Sequence, residues 1–290
     1  MLGTMAAAAL PLAVATSQAD EAAAPPPPSR INLLVDLTVA SHYLTPRGMD
    51  VSRQGMVFQP LMLAFFNVYK SDDFINSATV VAGMWNCFGT SLLPSSDSNG
   101  TKKTGWYETD PIAGLSFGLA KNFKLDVTYT AFSMQIFNIP FSQHLETKLS
   151  FNDSDYLKAF ALHPYVIYWQ ELSGKAVAST DANPSTSYYF DVGIAPGYTF
   201  EKCGVKLEAP CRILMADSDF YGTGAGGTTF VSLYEFGVKA SMPLKFMPQG
   251  YGHWSANIGF KRQGFDNPNL RATQGEAGAT VVYGGVSTFF

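Results

Sequence analysis

Gly222-Thr-Gly224-Ala-Gly226-Gly227 fits the pattern G-x-G-x-x-G, whose glycines let a backbone close on a pyrophosphate at a helix N-terminus. That chemistry needs a strand before the motif and a helix after it. Here the flanks are Asp217-Ser-Asp-Phe-Tyr221 and a strand-like stretch over 230–244, which predicts a flexible external loop. A hydrolase would need Ser, His and a carboxylate gathered at one place. The histidines at 42, 144, 163 and 253 are scattered. His144, expected near the end of an external loop, is the one candidate, and no hydrolase motif stands beside it. Cys87, Cys203 and Cys211 are odd in number and contain no C-x-x-C, which signals neither a zinc site nor a disulfide framework. Along an extended strand Cys203 and Cys211 would stand about 26 Å apart, too far to bridge. Cys211 shares a face with apolar residues and reads as an inert small hydrophobe. No catalytic residue, metal or cofactor is assigned.

The chemistry that remains lies in charges at alternate positions. Asp36, Glu108, Asp110, Asp126, Glu146, Asp191, Glu208 and Glu235 share faces with small and polar residues, as do Lys124, Lys148, Lys206, Arg212, Lys239 and Lys261. If these faces turn inward, charges of both signs line a water-filled pore and tune its selectivity. The same charges could instead knit into a salt-bridged plug. Gly114, Gly118, Gly193, Gly197 and Gly237 on that face leave space unfilled, which favours a pore.

The elements that carry these residues follow from composition and period. The 290 residues are 47% hydrophobic and 14% aromatic but only 14% charged, against about 25% charged in an ordinary soluble domain. Mean hydropathy is only +0.05, and no apolar run is long enough for a helical membrane bundle. The 22 Phe, 14 Tyr and 4 Trp exclude a solvated coil. A net charge of −4 offers no basic patch for nucleic acid.

Alternation with period two runs through the body. Over 188–201, Tyr188, Phe190, Val192, Ile194, Tyr198 and Phe200 oppose Tyr189, Asp191, Gly193, Ala195, Thr199 and Glu201. From Tyr107 the apolar face reads Tyr107, Pro111, Ala113, Leu115, Phe117 and Leu119. About twelve strands are predicted, near 32–43, 56–68, 79–88, 107–120, 124–132, 145–151, 162–171, 188–200, 205–214, 230–243, 252–262 and 276–290. Connections after odd-numbered strands are long and polar, such as 90–106 and 216–229; those at 121–122 and 201–204 are tight. A soluble sandwich shows the same alternation but has no reason for this asymmetry, whereas an outer-membrane barrel has long loops on one side and short turns on the other. The fold class expected is all-β, a closed antiparallel transmembrane β-barrel of about twelve strands. Same-face pairing places Phe200 opposite Val205, Ile194 opposite Cys211, Gly193 opposite Arg212, and Asp191 diagonal to Arg212. Leu119 is expected opposite Leu125 across a bulged turn. Trp85, Trp106, Trp169 and Trp254, with Tyr107, Tyr198 and Phe200, are expected in aromatic girdles at the membrane interfaces.

Residues 6–15 are apolar and are followed by Thr16-Ser-Gln-Ala19, the pattern of a secretory signal cleaved after Ala19, although no Lys or Arg precedes it. The expected organisation is a signal peptide over 1–19, a proline-rich linker over 20–30 and the barrel over 31–290. The chain ends on a strand with Phe290. This resembles bacterial outer-membrane barrels, in which assembly machinery reads the last strand.

Ser41-His-Tyr43-Leu-Thr-Pro-Arg47-Gly48 runs from the first strand into its loop. With Gly83-Met-Trp85-Asn86 and Glu108-x-Asp110 before a Gly-rich strand, it resembles the TorF-type porin family, with one extra residue before Arg47. The resemblance implies an outer-membrane porin and carries over no catalytic residue. The function expected is passive passage of small hydrophilic solutes through a narrow, mixed-charge lumen, with outer-membrane lipid and the barrel-assembly machinery as partners. The alternatives are a barrel enzyme acting on lipids or esters through His144, and a non-conducting structural or surface-binding barrel.

Overall fold

A computed structural model describes residues 30–96, 101–137, 139–177 and 185–290; the expected signal peptide and nearly all of the linker fall outside these. The chain begins with β1 (Ile31–Ala40), the small hairpin β2 (Tyr43–Leu44) and β3 (Asp50–Ser52), then β4 (Val57–Lys70), β5 (Ile75–Pro94) and β6 (Lys103–Leu119). There follow β7 (Phe123–Met134), β8 (Ser142–Phe151), the short helix α1 (Ser154–Leu157), β9 (Tyr165–Ser173), β10 (Tyr188–Ile194), β11 (Gly197–Phe200), β12 (Val205–Glu208) and β13 (Cys211–Ala216). Last come β14 (Leu233–Pro243), β15 (His253–Phe265), helix α2 (Pro268–Gln274) and β16 (Gly278–Phe289).

Fourteen of these segments form one antiparallel sheet. β10 with β11, and β12 with β13, are halves of single strands interrupted at Pro196 and Pro210, which have no N–H to give the ladder. The sheet therefore has twelve full strands, and it closes where β1 pairs with β16 from Leu34↔Phe289 to Ala40↔Tyr283. Closure removes both edges, so every strand has two neighbours. The register across the interruptions is the expected one, with Phe200↔Val205, Ile194↔Cys211 and Gly193↔Arg212.

The outer wall is apolar. Val39, Phe58, Met62, Phe66, Val80, Met84, Leu115, Phe236, Val238, Ile258, Phe260 and Val282 are all exposed there. A continuous belt of this kind is incompatible with water on that face and suits hydrocarbon; the fold is a closed transmembrane β-barrel. Aromatic side chains stand at both rims of the belt. Phe88 stacks on Trp106 at the loop side with centroids 6.3 Å apart, and Tyr198 meets Phe200 edge-on at 5.0 Å at the turn side. Trp254 is half-buried, its Nε1 donating to Tyr251 O at 2.7 Å.

Three expected girdle residues point the other way. Trp85 and Trp169 are 2% exposed and Tyr107 is fully buried, all inside the barrel. Tyr107 owes this to an irregularity between Cys87↔Glu108 and Phe88↔Trp106. Two successive residues of β6 thereby turn inward, and the Tyr107 ring lies over Gly89, where any Cβ would stand 2.1 Å from it.

β5 and β6 reach further than expected, pairing out to Pro94↔Lys103, so the long loop expected over 90–106 shrinks to 95–102. The turn after β6 also differs: Leu119 pairs with Phe123, and Phe117 rather than Leu119 faces Leu125. Ala120 and Lys121 take positive φ of 43° and 67°, closing a shorter turn than expected while keeping each residue on its face. The connection over 152–164 breaks the alternation of lengths, being longer than 95–102 or 135–141. It is made compact by the Asp153 carboxylate, which accepts from the backbone N–H groups of Leu162 and His163, each at 2.9 Å. Burial pushes the Asp153 carboxyl up, but these donors outweigh it and hold the group below the usual carboxylate range.

Candidate channel lumen

The inward face changes character along the barrel axis. Toward the turns it is polar and half-buried: Asp36, Ser116, Asp126, Thr128, Lys206, Lys239 and Asn257 alternate with glycines such as Gly114 and Gly118. Lys124 pairs with Asp126 at 2.8 Å at the rim, and Lys206 with Glu208 at 2.7 Å. Thr38 Oγ1 donates to Asp36 at 2.6 Å. One side of this lumen is apolar instead, formed by Leu34, Leu61, Leu63, Phe65 and Val81 of β1, β4 and β5. The lumen is thus amphipathic in cross-section.

Toward the loops the lumen is filled. The first loop, over 41–56, does not stand out from the barrel but folds into its mouth, burying Tyr43, Thr45 and Arg47. Its backbone is tied to the wall at three successive carbonyls. Gln263 Nε2 donates to Thr45 O at 3.1 Å, Arg212 Nη2 to Pro46 O at 2.6 Å, and Tyr221 Oη to Arg47 O at 2.8 Å. The Tyr43 hydroxyl donates to Glu108. Gly48, with φ of +84°, turns the chain back toward the rim where a side chain would meet Leu233 and Leu270.

Beneath this loop lies the principal charge cluster. Arg212 pairs with Asp191, as the diagonal register requires, and with Glu235, its Nη2 standing 3.2 Å from Oε2. Gln263 Nε2 adds a bond to the same Glu235 oxygen at 2.7 Å. Only 4% of the Arg212 side chain is exposed, so these charges meet one another rather than water, with Asp191 Oδ1 left without a hydrogen-bond partner. An aromatic layer packs beside them: Phe132, His144, Trp169, Tyr189 and Phe220. His144 stacks on Trp169 at 4.5 Å and contacts Phe132 at 4.0 Å, and Trp169 stacks on Tyr189 at 5.0 Å.

All twelve residues singled out as pore-lining, Asp36, Glu108, Asp110, Lys124, Asp126, Asp191, Lys206, Glu208, Arg212, Glu235, Lys239 and Lys261, lie on the inward face. Asp191, Arg212 and Glu235 come together as a triad, whereas Glu108 and Asp110 stand on β6 under Tyr43. Phe290 follows β16 and is exposed on the outer side. His144 is not at a loop: it lies within β8 and is fully buried. Its parity with Glu146 and Lys148 on that strand carries the signal for this placement. Two further features escaped the sequence reading. Arg47 stands within the motif over 41–48 with no local sign of its depth, and nothing local marks Glu171. The Glu171 carboxylate accepts from Lys175 Nζ and Ser187 N, each at 2.8 Å, and ties down the loop after β9.

The Gly-rich segment over 222–227 is a loop, as expected. It is bound to α2 through Asn269, whose Nδ2 donates to the carbonyls of Gly222 and Gly227 and whose Oδ1 accepts from Ala225 N at 2.6 Å. Cys211 is exposed on the outer wall and Cys87 is buried inside.

No protein-family model matches the chain, and no curated protein matches it. Solved structures do align along its length. The translocator domain of the autotransporter NalP from Neisseria meningitidis is 12% identical, covering 90% of this chain and 89% of that one, with a TM-score of 0.43. OmpF of Salmonella typhi, in complex with daunomycin, is 8% identical over 90% and 97% of the two chains, with a TM-score of 0.40. The CymD monoaromatic hydrocarbon channel is 10% identical over 89% and 87%, also with a TM-score of 0.40.

Proposed function

We propose that the protein is a porin-like channel of a bacterial outer membrane, passing small hydrophilic solutes by diffusion, with its first loop as the constriction. The observation that carries this reading is the sorting of the wall. Charges, hydroxyls and glycines face a partly exposed lumen, while the belt outside is apolar. A barrel of twelve strands is wider than the eight that side chains fill. The segment over 41–48, which resembles the motif of TorF-type porins, falls on the loop that narrows the lumen, which supports placing the protein with that family. Export through a cleaved signal, and recognition of the last strand with Phe290 by assembly machinery, belong to the same proposal. The protein is read as non-enzymatic, because His144 stacks within an aromatic layer instead of facing a nucleophile.

One observation favours a second reading, the non-conducting barrel: the loop-side tier is packed to complete burial around Arg47, Tyr43 and Phe220. Planar bilayers separate the two. The channel reading expects discrete conductance steps that enlarge when residues 45–48 are replaced by a short Gly-Ser turn. Membranes that stay silent with both proteins, inserted and heat-modifiable, would establish the non-conducting barrel.

A further inference from the structure

Arg47 is the least reconciled group in the lumen. Its side chain is carried into the barrel by a loop whose three carbonyls, at Thr45, Pro46 and Arg47 itself, are each bound by a different part of the wall. The backbone is therefore pinned, and the guanidinium is placed with little freedom. It lies over the ring of Phe132 at 4.6 Å and that of Trp169 at 5.2 Å. Arg47 is 1% exposed, yet its Nε and Nη1 have no hydrogen-bond partner. No carboxylate among the described residues forms an ion pair with it, since Glu108 takes the Tyr43 hydroxyl and Asp191 and Glu235 are engaged by Arg212.

A guanidinium this deeply buried is costly unless paired, and its unpartnered Nε and Nη1 groups are donors that carboxylate oxygens accept from. The rings of Phe132, His144 and Trp169 supply flat apolar walls beside it, and the Trp85 Nε1 donor, also buried, is unpartnered in the same tier. We infer that Arg47 forms the binding subsite of the constriction for small carboxylate solutes. This rests on the channel reading and deepens it by naming a substrate class. Glu108 and Asp110 on the neighbouring wall, hydrogen-bonded side chain to side chain, oppose an anion and keep its residence short, as passage requires.

The test uses the full protein, folded in detergent micelles and 15N-labelled. The Arg47 Nε–Hε resonance is identified by its absence in Arg47→Lys. Sodium benzoate is the probe, with benzyl alcohol and sodium chloride as controls. Titration with benzoate shifts this resonance to saturation, and neither control does. In the variants, which lack this resonance, binding is read from the indole N–H resonances of Trp85 and Trp169; Arg47→Lys binds benzoate about tenfold more weakly or worse, the loss of one charge-assisted hydrogen bond. Arg47→Met, checked for heat-modifiable folding, loses binding altogether. A resonance indifferent to benzoate, showing exchange with water alone, overturns the site, as does equal binding by Arg47→Met. Benzoate binding in a barrel that never conducts upholds the site and removes the channel reading. Conductance with no benzoate response does the reverse.

Discussion

Tyr221→Phe isolates one tether of the constriction. The Tyr221 hydroxyl donates to Arg47 O at 2.8 Å in a fully buried setting, and the ring packs edge-on against Phe220 at 4.9 Å. Phenylalanine keeps that packing and removes the hydroxyl that donates to Arg47 O. Arg47 O is then left buried without its partner, which costs about 1–3 kcal/mol. The cost falls only on the state in which the loop is folded in, because a loop released into water solvates its carbonyl. The ratio of released to folded-in loop should therefore rise roughly 5- to 150-fold. Single-channel recording reads this ratio as the fraction of time in the larger conductance level, and the protein's heat-modifiable migration confirms an intact barrel. An unchanged ratio in a correctly folded variant would refute the claim that these carbonyl contacts hold the constriction shut.

Other consequences follow from the same structure. Arg212→Met leaves Asp191 and Glu235 facing each other without their cation, and the barrel should lose about 3–5 kcal/mol, read as a lower temperature of heat modification. Val238→Arg puts a charge on the lipid face of β14 and should cost about 2–4 kcal/mol if it lies at the midplane, measured by reversible unfolding in lipid; a neutral result would contradict the assignment of that face. Asp153→Asn should lower stability at neutral pH. The folded-state pKa of Asp153 is depressed, so its contribution is present above the unfolded value and lost as pH falls through the folded one; the variant and wild-type curves should therefore converge in acid. In lipid vesicles a charged maleimide should label Cys203 in the turn, spare Cys211 within the belt, and reach Cys87 only after unfolding.

Alternation alone fixed much of this protein. The apolar and polar faces of β10 to β14 were legible because Phe190, Val192 and Ile213 alternate cleanly with Asp191, Gly193 and Arg212, and a strand offers only two faces. Same-face pairing then gave the register, and with it the contact between Asp191 and Arg212. Where both faces are apolar the sequence could not choose. In β9, Tyr165, Ile167 and Trp169 alternate with Val166, Tyr168 and Gln170, and nothing local says which set meets lipid. Trp169 was accordingly expected outside; closure of the barrel put it inside, beside His144. Tyr107 escaped for another reason, since a bulge reverses parity without leaving a mark in composition.

The site itself was the work of tertiary structure. Charges scattered from Asp36 to Lys261 could be assigned to the lumen by parity, but parity does not reveal depth, so it separated neither the half-exposed tier from the packed one nor the pairs from the unpaired. Above all, the loop carrying Tyr43 and Arg47 reads as polar and external. Its course into the mouth is decided by Gln263, Arg212 and Tyr221, residues more than 160 positions away, whose donors its carbonyls satisfy. Local sequence specifies which face a strand residue presents; where a loop lies depends on partners that only closure of the barrel brings within reach.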